Sequence, residues 1–596
     1  MCGILAAIGN HNSKNFEQAL CTLSHRGPDA QGVWGEKEVL MGHTRLSIID
    51  LDARSNQPMI DERYALVFNG EIYNFEELKR EYALTCKTTS DTEVLIKLYE
   101  KLGYSMLSHL NGMFAFCLYD RQTQVLFMAR DRFGKKPLYF SQSKGLIVAS
   151  EIKAIVALLE TTPSMNMQGF QNYFAFQSTL PPHTFFEGIH KLEAGMYATY
   201  SKGVFTCKRY YDVGEKELLH VSEADALVKI EELLLDAVQK RLVGDVEVAS
   251  LLSGGIDSSL ISAIYAKASG KKIHTFSIGY DEYLHYDELD QAKEASVHIG
   301  SHHHELRINK KTYMDTIENT LAHLDEPMGD TACMPTYLIS QMVHQAGIKV
   351  CLSGEGSDEI FLGYDNYFEM AKYYQMHTEL SLQSQMLLKN YLEHNPNWSR
   401  NWECLRRISS NEHPFYSGGE TFTKRQFDAL RGIETDDVRG MSSIGNNPFL
   451  WMSKIDFKIW IAEVLMSKID RMSMAHALEL RAPFLDYRLV DYCLALPPAL
   501  RAGNTNKYLL KQIAQKYIPS AIIERKKKGF SSPFIEWLYD EYKDKILELM
   551  LHVSHKSGLF DPSFVTFLYH EGKEGRFKQH VWSLYLFCRW YAKLYL

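Results

Sequence analysis

Long apolar runs, paired cysteines and an excess of basic charge are all missing from this chain of 596 residues. No stretch approaches the ~18 consecutive apolar residues that a membrane span requires. The N-terminus carries no basic segment, and "GILAAIG" is shorter than the apolar core of a secretory signal. Ten cysteines stand singly, with no C-x-x-C pair, which argues against a disulfide framework or a structural zinc site. The formal net charge of -8 argues against a nucleic-acid surface, which would want a basic stripe. The run "RKKKGF" (525–530) is too short to change that balance and reads as a solvated face or a local anion site. Low-complexity tracts and clear repeats are also lacking. The expectation is a cytoplasmic protein without membrane or nucleic-acid partners.

What is present is an ordinary globular composition, 45% hydrophobic and 23% charged, in a chain too long for a single core. The first two hundred residues are rich in short apolar runs bounded by turn residues: "YALVFNG", "MFAFCLYD", "QVLFMARD", "KPLYFS" and "LIVASE". These read as strands of antiparallel sheets. A helix intervenes at "DTEVLIKLYEKLG" (91–103), with Val94, Leu95, Leu98 and Leu102 on one face. The polar segment 210–224 reads as a linker. From about residue 225 the texture becomes helix, strand, helix, strand ("EADALVKIEELLLDAVQKRL", "DVEVASLL", "SLISAIYAKAS", "KIHTFSIGY"), the pattern of an α/β domain with a parallel sheet. The last two hundred residues read as mostly helical.

Two loops in this second half carry chemistry. "LLSGGIDSS" (251–259) joins a buried strand to a helix, and its glycines, hydroxyls and helix-start N–H groups suit an anion. The Walker signature G-x-x-x-x-G-K-[ST] is absent. "IKVCLSGEGSDEIFLGY" (348–364) again runs from a strand into a Ser/Gly turn, now with Glu355, Asp358 and Glu359. Carboxylates beside a polyphosphate call for a bridging cation, for which Mg²⁺ is the usual choice. "HHH" at 302–304 is read as strand, not as a zinc site, because consecutive strand residues point to opposite faces.

Cys2 admits two readings. It is a small hydrophobe opening a buried strand, or, once Met1 is removed, a nucleophile whose own α-amine serves as its base.

The motifs decide between them. "SGGIDS" (253–258) resembles the pyrophosphate loop of N-type ATP pyrophosphatases, and with "LSGEGSDE", "DRMSMAHALELRAPFLD" (470–486) and "NKYLLKQI" (506–513) it resembles the synthetase domain of glutamine-dependent asparagine synthetases. "CGILA", "HRGPD" (25–29), "RLSIIDL" (45–51), "NGEIYN" (69–74), "SDTE" (90–93) and "RDRFGKKPLY" (130–139) resemble a class II glutamine amidotransferase domain. The resemblance implies an α+β N-terminal domain of the four-layer αββα, N-terminal-nucleophile hydrolase type (residues 1–209). A linker (210–224) would lead to an α/β synthetase domain with a pyrophosphate loop (225–596).

It also implies roles. Cys2 would attack the glutamine amide, and Asn69 and Gly70 would form the oxyanion hole, where losing one donor typically costs ~10²-fold in rate. Arg45 would hold the glutamine α-carboxylate, with Asn69, Glu71 and Asp91 completing that pocket. Leu252, Ser253, Gly254, Gly255, Asp257, Ser258, Ile278, Ser353, Gly354 and Lys507 would bind ATP and pyrophosphate. Asp257 and Asp358 would hold Mg²⁺, Glu355 would support ammonia attack, and Asp358 would meet the acceptor's amino group. Lys507 or Arg481 would answer the acceptor's negative charge. The implied reaction is asparagine synthesis from glutamine, aspartate and ATP, with a homodimer as the possible assembly. After Asp330 the chain reads Thr-Ala-Cys-Met, without an arginine, so another carboxylate such as a polysaccharide-precursor uronate stays open as acceptor.

Overall fold

A computed structural model describes residues 2–283, 286–415, 417–436, 447–526 and 532–596. Part of "RKKKGF", residues 527–530, lies outside them.

The apolar runs of the first half form two six-stranded antiparallel sheets. One has the order Ile189–Lys191, Tyr139–Ser141, Leu146–Ala149, Gly3–Ile8, Val39–Arg45, Ala30–Glu36. The other runs Val204–Arg209, Met196–Ser201, Val125–Arg130, Gly112–Asp120, Tyr64–Ile72, Met59–Ile60. Period-two alternation assigns their faces. Ile4 and Ala6 share one apolar cluster with Val67, Ala115, Cys117 and Met128 of the second sheet. Leu5 and Ala7 fall in another, with Phe16 and Leu20 of helix Ser13–Cys21 and Ile155 of helix Ile152–Leu159. On the second sheet, Leu66, Phe68, Phe114 and Phe116 pack with Val94, Leu95 and Leu98 of helix Asp91–Leu102. Strand Gly3–Ile8 is therefore buried on both faces, which is why it reads as an unbroken apolar run rather than an alternating one.

The second half is built on a five-stranded parallel sheet, ordered His302–Ile308, His274–Tyr280, Val248–Leu251, Val350–Leu352, Glu479–Arg481. The chain starts at the central strand Val248–Leu251, moves outward one way, then returns to the other side at Val350–Leu352. That reversal is a topological switch point, where open α/β sheets bind ligands at the carboxyl ends of their strands. "LLSGGIDSS" and "LSGEGSDE" leave these two adjacent strands there. The fifth strand, Glu479–Arg481, is only three residues long and has no periodicity from which it could be read. Segment Phe457–Leu465 is a π-helix continuous with helix Met466–Met474.

The polar segment after Arg209 forms no helix or strand before Glu223, yet it is pinned down. The Tyr211 hydroxyl donates to Asp491 Oδ1 at 2.7 Å, and the Leu219 amide donates to the Ala495 carbonyl at 2.8 Å. His302 begins the edge strand of the parallel sheet, and His304 stacks on Phe276. Among the described residues, no cluster of three or more His, Cys, Asp or Glu side chains has geometry to hold a metal ion. No described helix is long and apolar enough to cross a membrane.

Candidate active site

The antiparallel half brings Cys2, Asn69, Gly70, Glu71 and Asp91 together. Cys2 opens strand Gly3–Ile8, and its backbone N–H donates to Asn69 Oδ1 at 3.0 Å. That bond fixes the carboxamide, leaving Asn69 Nδ2 buried and, among the described residues, without an acceptor. A buried amide donor without a partner costs free energy unless a ligand satisfies it, so this N–H is free to meet an oxygen. Gly70 follows at φ +149°, and a Cβ there would lie 2.0 Å from the Met113 carbonyl oxygen. Only glycine fits so close to the neighbouring strand. Burial pushes the Cys2 thiol pKa above its ordinary value, so the sulfur needs a proton acceptor before it can attack.

The carboxylates lie beyond. Asp91 Oδ2 accepts from the Ile72 amide at 2.9 Å. Burial, with Glu479 nearby, outweighs that bond and raises Asp91 to about 6. Glu71 is raised well above its usual value by burial, then by Glu479 and Asp91, and its Oε2 has no partner among the described residues. Crowding of these two acids disfavours their charged forms, and a cationic group placed between them would relieve it. Arg45 is 5% exposed. Its Nη1 donates to the Asp52 carbonyl at 3.0 Å and to Asn56 Oδ1 at 2.6 Å. Its Nη2 donates to the Ile49 carbonyl at 3.2 Å and to the Asp50 carbonyl. These partners are neutral oxygens, so they orient the guanidinium without cancelling its charge.

Arg481, offered by the sequence as an alternative to Lys507 for the acceptor's negative charge, is engaged elsewhere. Its Nε donates to Glu479 Oε1 at 2.6 Å and its Nη1 to the Arg241 carbonyl at 2.8 Å, while Nη2 stands 3.9 Å from Glu71 Oε1. Strand Glu479–Arg481 thus delivers an ion pair to the Glu71 pocket. The contact is tertiary, and sequence distance conceals it.

At the switch point, the loop Ser253–Ser258 closes on itself. The Ser253 amide donates to Ser258 Oγ at 3.1 Å, and the two hydroxyls stand 3.0 Å apart. Leu252 and Ile278 are buried beside it. Ser353 is buried, its Oγ without a partner among the described residues, and a Cβ on Gly354 would touch Asp257 and the Ser258 amide. Lys507, 4% exposed, is the hub: its Nζ lies 2.6 Å from Asp257 Oδ2 and 2.7 Å from Asp358 Oδ1. Ser357 Oγ donates to Asp257 Oδ1 at 2.7 Å. Gly363 is what admits this arrangement, since a Cβ there would lie 1.9 Å from Asp358 Oδ1 and 2.3 Å from Lys507 Cε. Neither Gly363 nor Arg26, treated below, received a role from the sequence, although both lie in or beside quoted motifs. Glu355 sits in the same loop, and its charge reaches the buried Lys468, which pairs with Asp330 Oδ2 at 2.8 Å.

With this geometry in view, comparison with known proteins is specific. The model of a glutamine amidotransferase domain matches residues 1–211, and the asparagine synthase model matches residues 229–592. Asparagine synthetase (glutamine-hydrolysing) 1 of Bacillus subtilis is 31% identical, over 99% of this chain and 96% of its own length. A putative asparagine synthetase (glutamine-hydrolysing) of Mycobacterium tuberculosis is 30% identical over 99% of this chain and 97% of its own. Amidase chry2 of Gibberella zeae is 29% identical over 92% of each chain. The two halves are those of a glutamine-dependent amidotransferase joined to a ligase. The chain belongs to the asparagine synthase family.

Proposed function

We propose that this enzyme makes asparagine from aspartate, with ATP as activator and glutamine as nitrogen donor. The observation that carries the glutamine half is the buried Asn69 Nδ2 beside Cys2, without an acceptor among the described residues. Loss of Met1 would turn the Cys2 backbone nitrogen into an α-amine. That amine takes the thiol proton as sulfur attacks the glutamine carboxamide carbon, and then hands the proton to the departing ammonia. Asn69 Nδ2 and the Gly70 amide stabilise the oxyanion. Arg45 holds the α-carboxylate, while Glu71 and Asp91 hold the ammonium. Water then releases glutamate from the thioester.

In the other half, the aspartate β-carboxylate oxygen attacks the α-phosphorus of ATP, breaking the bond to pyrophosphate. Ammonia attacks the resulting acyl carbon and AMP leaves. Ser253, Gly254, Gly255, Asp257 and Ser258 cradle the pyrophosphate, with Leu252, Ile278, Ser353 and Gly354 around the nucleotide. Lys507 neutralises phosphate charge. Its ammonium is paired with both Asp257 and Asp358, so it would turn toward the phosphates when those carboxylates hold a metal cation. Two carboxylates plus substrate phosphates is the usual donor set for Mg²⁺. Bound there, Mg²⁺ would supply charge neutralisation on the polyphosphate. Asp358 would meet the aspartate amine, and Glu355 would take a proton from the attacking ammonia. The division follows the same line: a four-layer αββα glutaminase domain over 1–209, a linker over 210–224 and the synthetase domain over 225–596.

A second acceptor, another carboxylate such as a sugar uronate, is favoured by the Thr-Ala-Cys-Met stretch after Asp330 and by the amidase name of one relative. The test is pyrophosphate release with ATP, Mg²⁺ and ammonium across a panel of carboxylic acids. Asparagine formed well above the other products supports aspartate. Silence with aspartate and turnover with a uronic acid overturns it.

A further inference from the structure

Cys2 is held by two residues of its own half, one of which is in turn held from the second half. Its backbone N–H is bound by Asn69, and its carbonyl accepts from Arg26 Nε at 3.0 Å. Arg26 is completely buried. Its fork is occupied by Asp470, with Nη1 donating to Oδ2 at 2.8 Å and Nη2 to Oδ1 at 3.1 Å. Nη1 also donates to Glu151 Oε1 at 2.8 Å. Lys136 Nζ donates to Asp470 Oδ1 at 3.3 Å, and Arg471 Nη1 pairs with Glu151 Oε1 at 2.9 Å. Asp470 and Arg471 both lie on helix Met466–Met474 of the second half, so that helix completes the charge cluster behind the nucleophile.

The same helix faces the other site. Residues two apart on an α-helix point about 200° apart, and Lys468, two residues before Asp470, pairs with Asp330 and feels Glu355. One turn of helix therefore carries Asp470 to the Arg26 cluster behind Cys2 and Lys468 to Asp330.

We propose that Asp470 is a positioning residue for Cys2, acting through Arg26, so that glutamine cleavage requires the second half's helix to be seated. A bidentate guanidinium–carboxylate pair fixes direction as well as distance. Removing one member leaves a buried charge under-compensated, and the arginine then turns toward Glu151 and away from the Cys2 carbonyl. The strand end that carries the sulfur loses its register with Asn69. The inference rests on the glutaminase reading of Cys2.

The experiment uses the full-length enzyme with Asp470→Asn, which keeps shape and removes charge. Glutamine hydrolysis is followed without ATP, ammonium-dependent pyrophosphate release is followed separately, and melting is recorded for both proteins. The kcat for glutamine should fall about tenfold or more, as a misplacement near 1 Å costs up to ~10²-fold, with KM nearly unchanged. Ammonium-dependent synthesis should stay within about twofold of the parent, since the synthetase site does not use Arg26. Parent-like glutaminase kcat, or a parallel loss of both activities, overturns the proposal. If Asp470→Asn does not fold, Arg26→Lys carries the same test, keeping the charge but losing the fork. A parent enzyme with no glutaminase activity overturns the Cys2 reading instead.

Discussion

Gly363→Ala tests the synthetase site at its tightest point. The added Cβ would lie 1.9 Å from Asp358 Oδ1 and 2.3 Å from Lys507 Cε, where contacts under 3.0 Å are essentially never seen. The core is close-packed, so relief comes from moving one of the two side chains by about 1 Å. Lys507 Nζ now stands 2.7 Å from Asp358 and 2.6 Å from Asp257. A retreat of about 1 Å takes one of these contacts beyond the ~3.2 Å limit of a good hydrogen bond. Overpacking of this kind costs about 1–3 kcal/mol of stability, too little to unfold a chain of this size. The effect on chemistry is larger, because a displacement near 1 Å costs ~10²-fold in rate. Pyrophosphate release with ATP, Mg²⁺, ammonium and aspartate should therefore fall about 10²-fold. Glutamate production should hold, because Cys2 and its partners lie in the other half. Full-rate synthesis by Gly363→Ala, with an unchanged KM for ATP, would refute the reading of Lys507 as the hub of the phosphate site.

Two further outcomes follow from the glutamine site. Cys2→Ala should abolish glutamine-dependent product and spare ammonia-dependent synthesis, and mass spectrometry of the active enzyme should find Cys2 as its first residue. Glutaminase activity in a protein that retains Met1 would contradict the α-amine mechanism. The second outcome is a pH profile. Asp91, raised to about 6, must be ionised to receive the glutamine ammonium. As pH falls through 6 it takes up a proton, so kcat/KM for glutamine should drop by up to roughly tenfold per pH unit, and recover as pH rises. A profile flat between pH 5 and 7 would remove Asp91 from the binding role.

What the chain itself determined is what lies close along it. "SGGIDS" shows its strand, turn and helix start within a dozen residues. Cys2 and "NGE" likewise stand out by residue type and immediate neighbours. The antiparallel and parallel halves were legible because a strand's face alternation and a helix's period are local patterns. Folding alone decided the contacts that cross the chain. Arg26 and Asp470 are 444 residues apart, and a buried arginine looks no different in sequence from an exposed one. Arg481 turned out to serve the Glu71 pocket, because the three-residue strand that carries it is too short to show a period. Gly363 matters for a clash that exists only once Lys507 has been brought back over it. Chain connectivity sets which chemical groups are available, while the packing of one half against the other sets which of them meet, since burial and desolvation are properties of the assembled core.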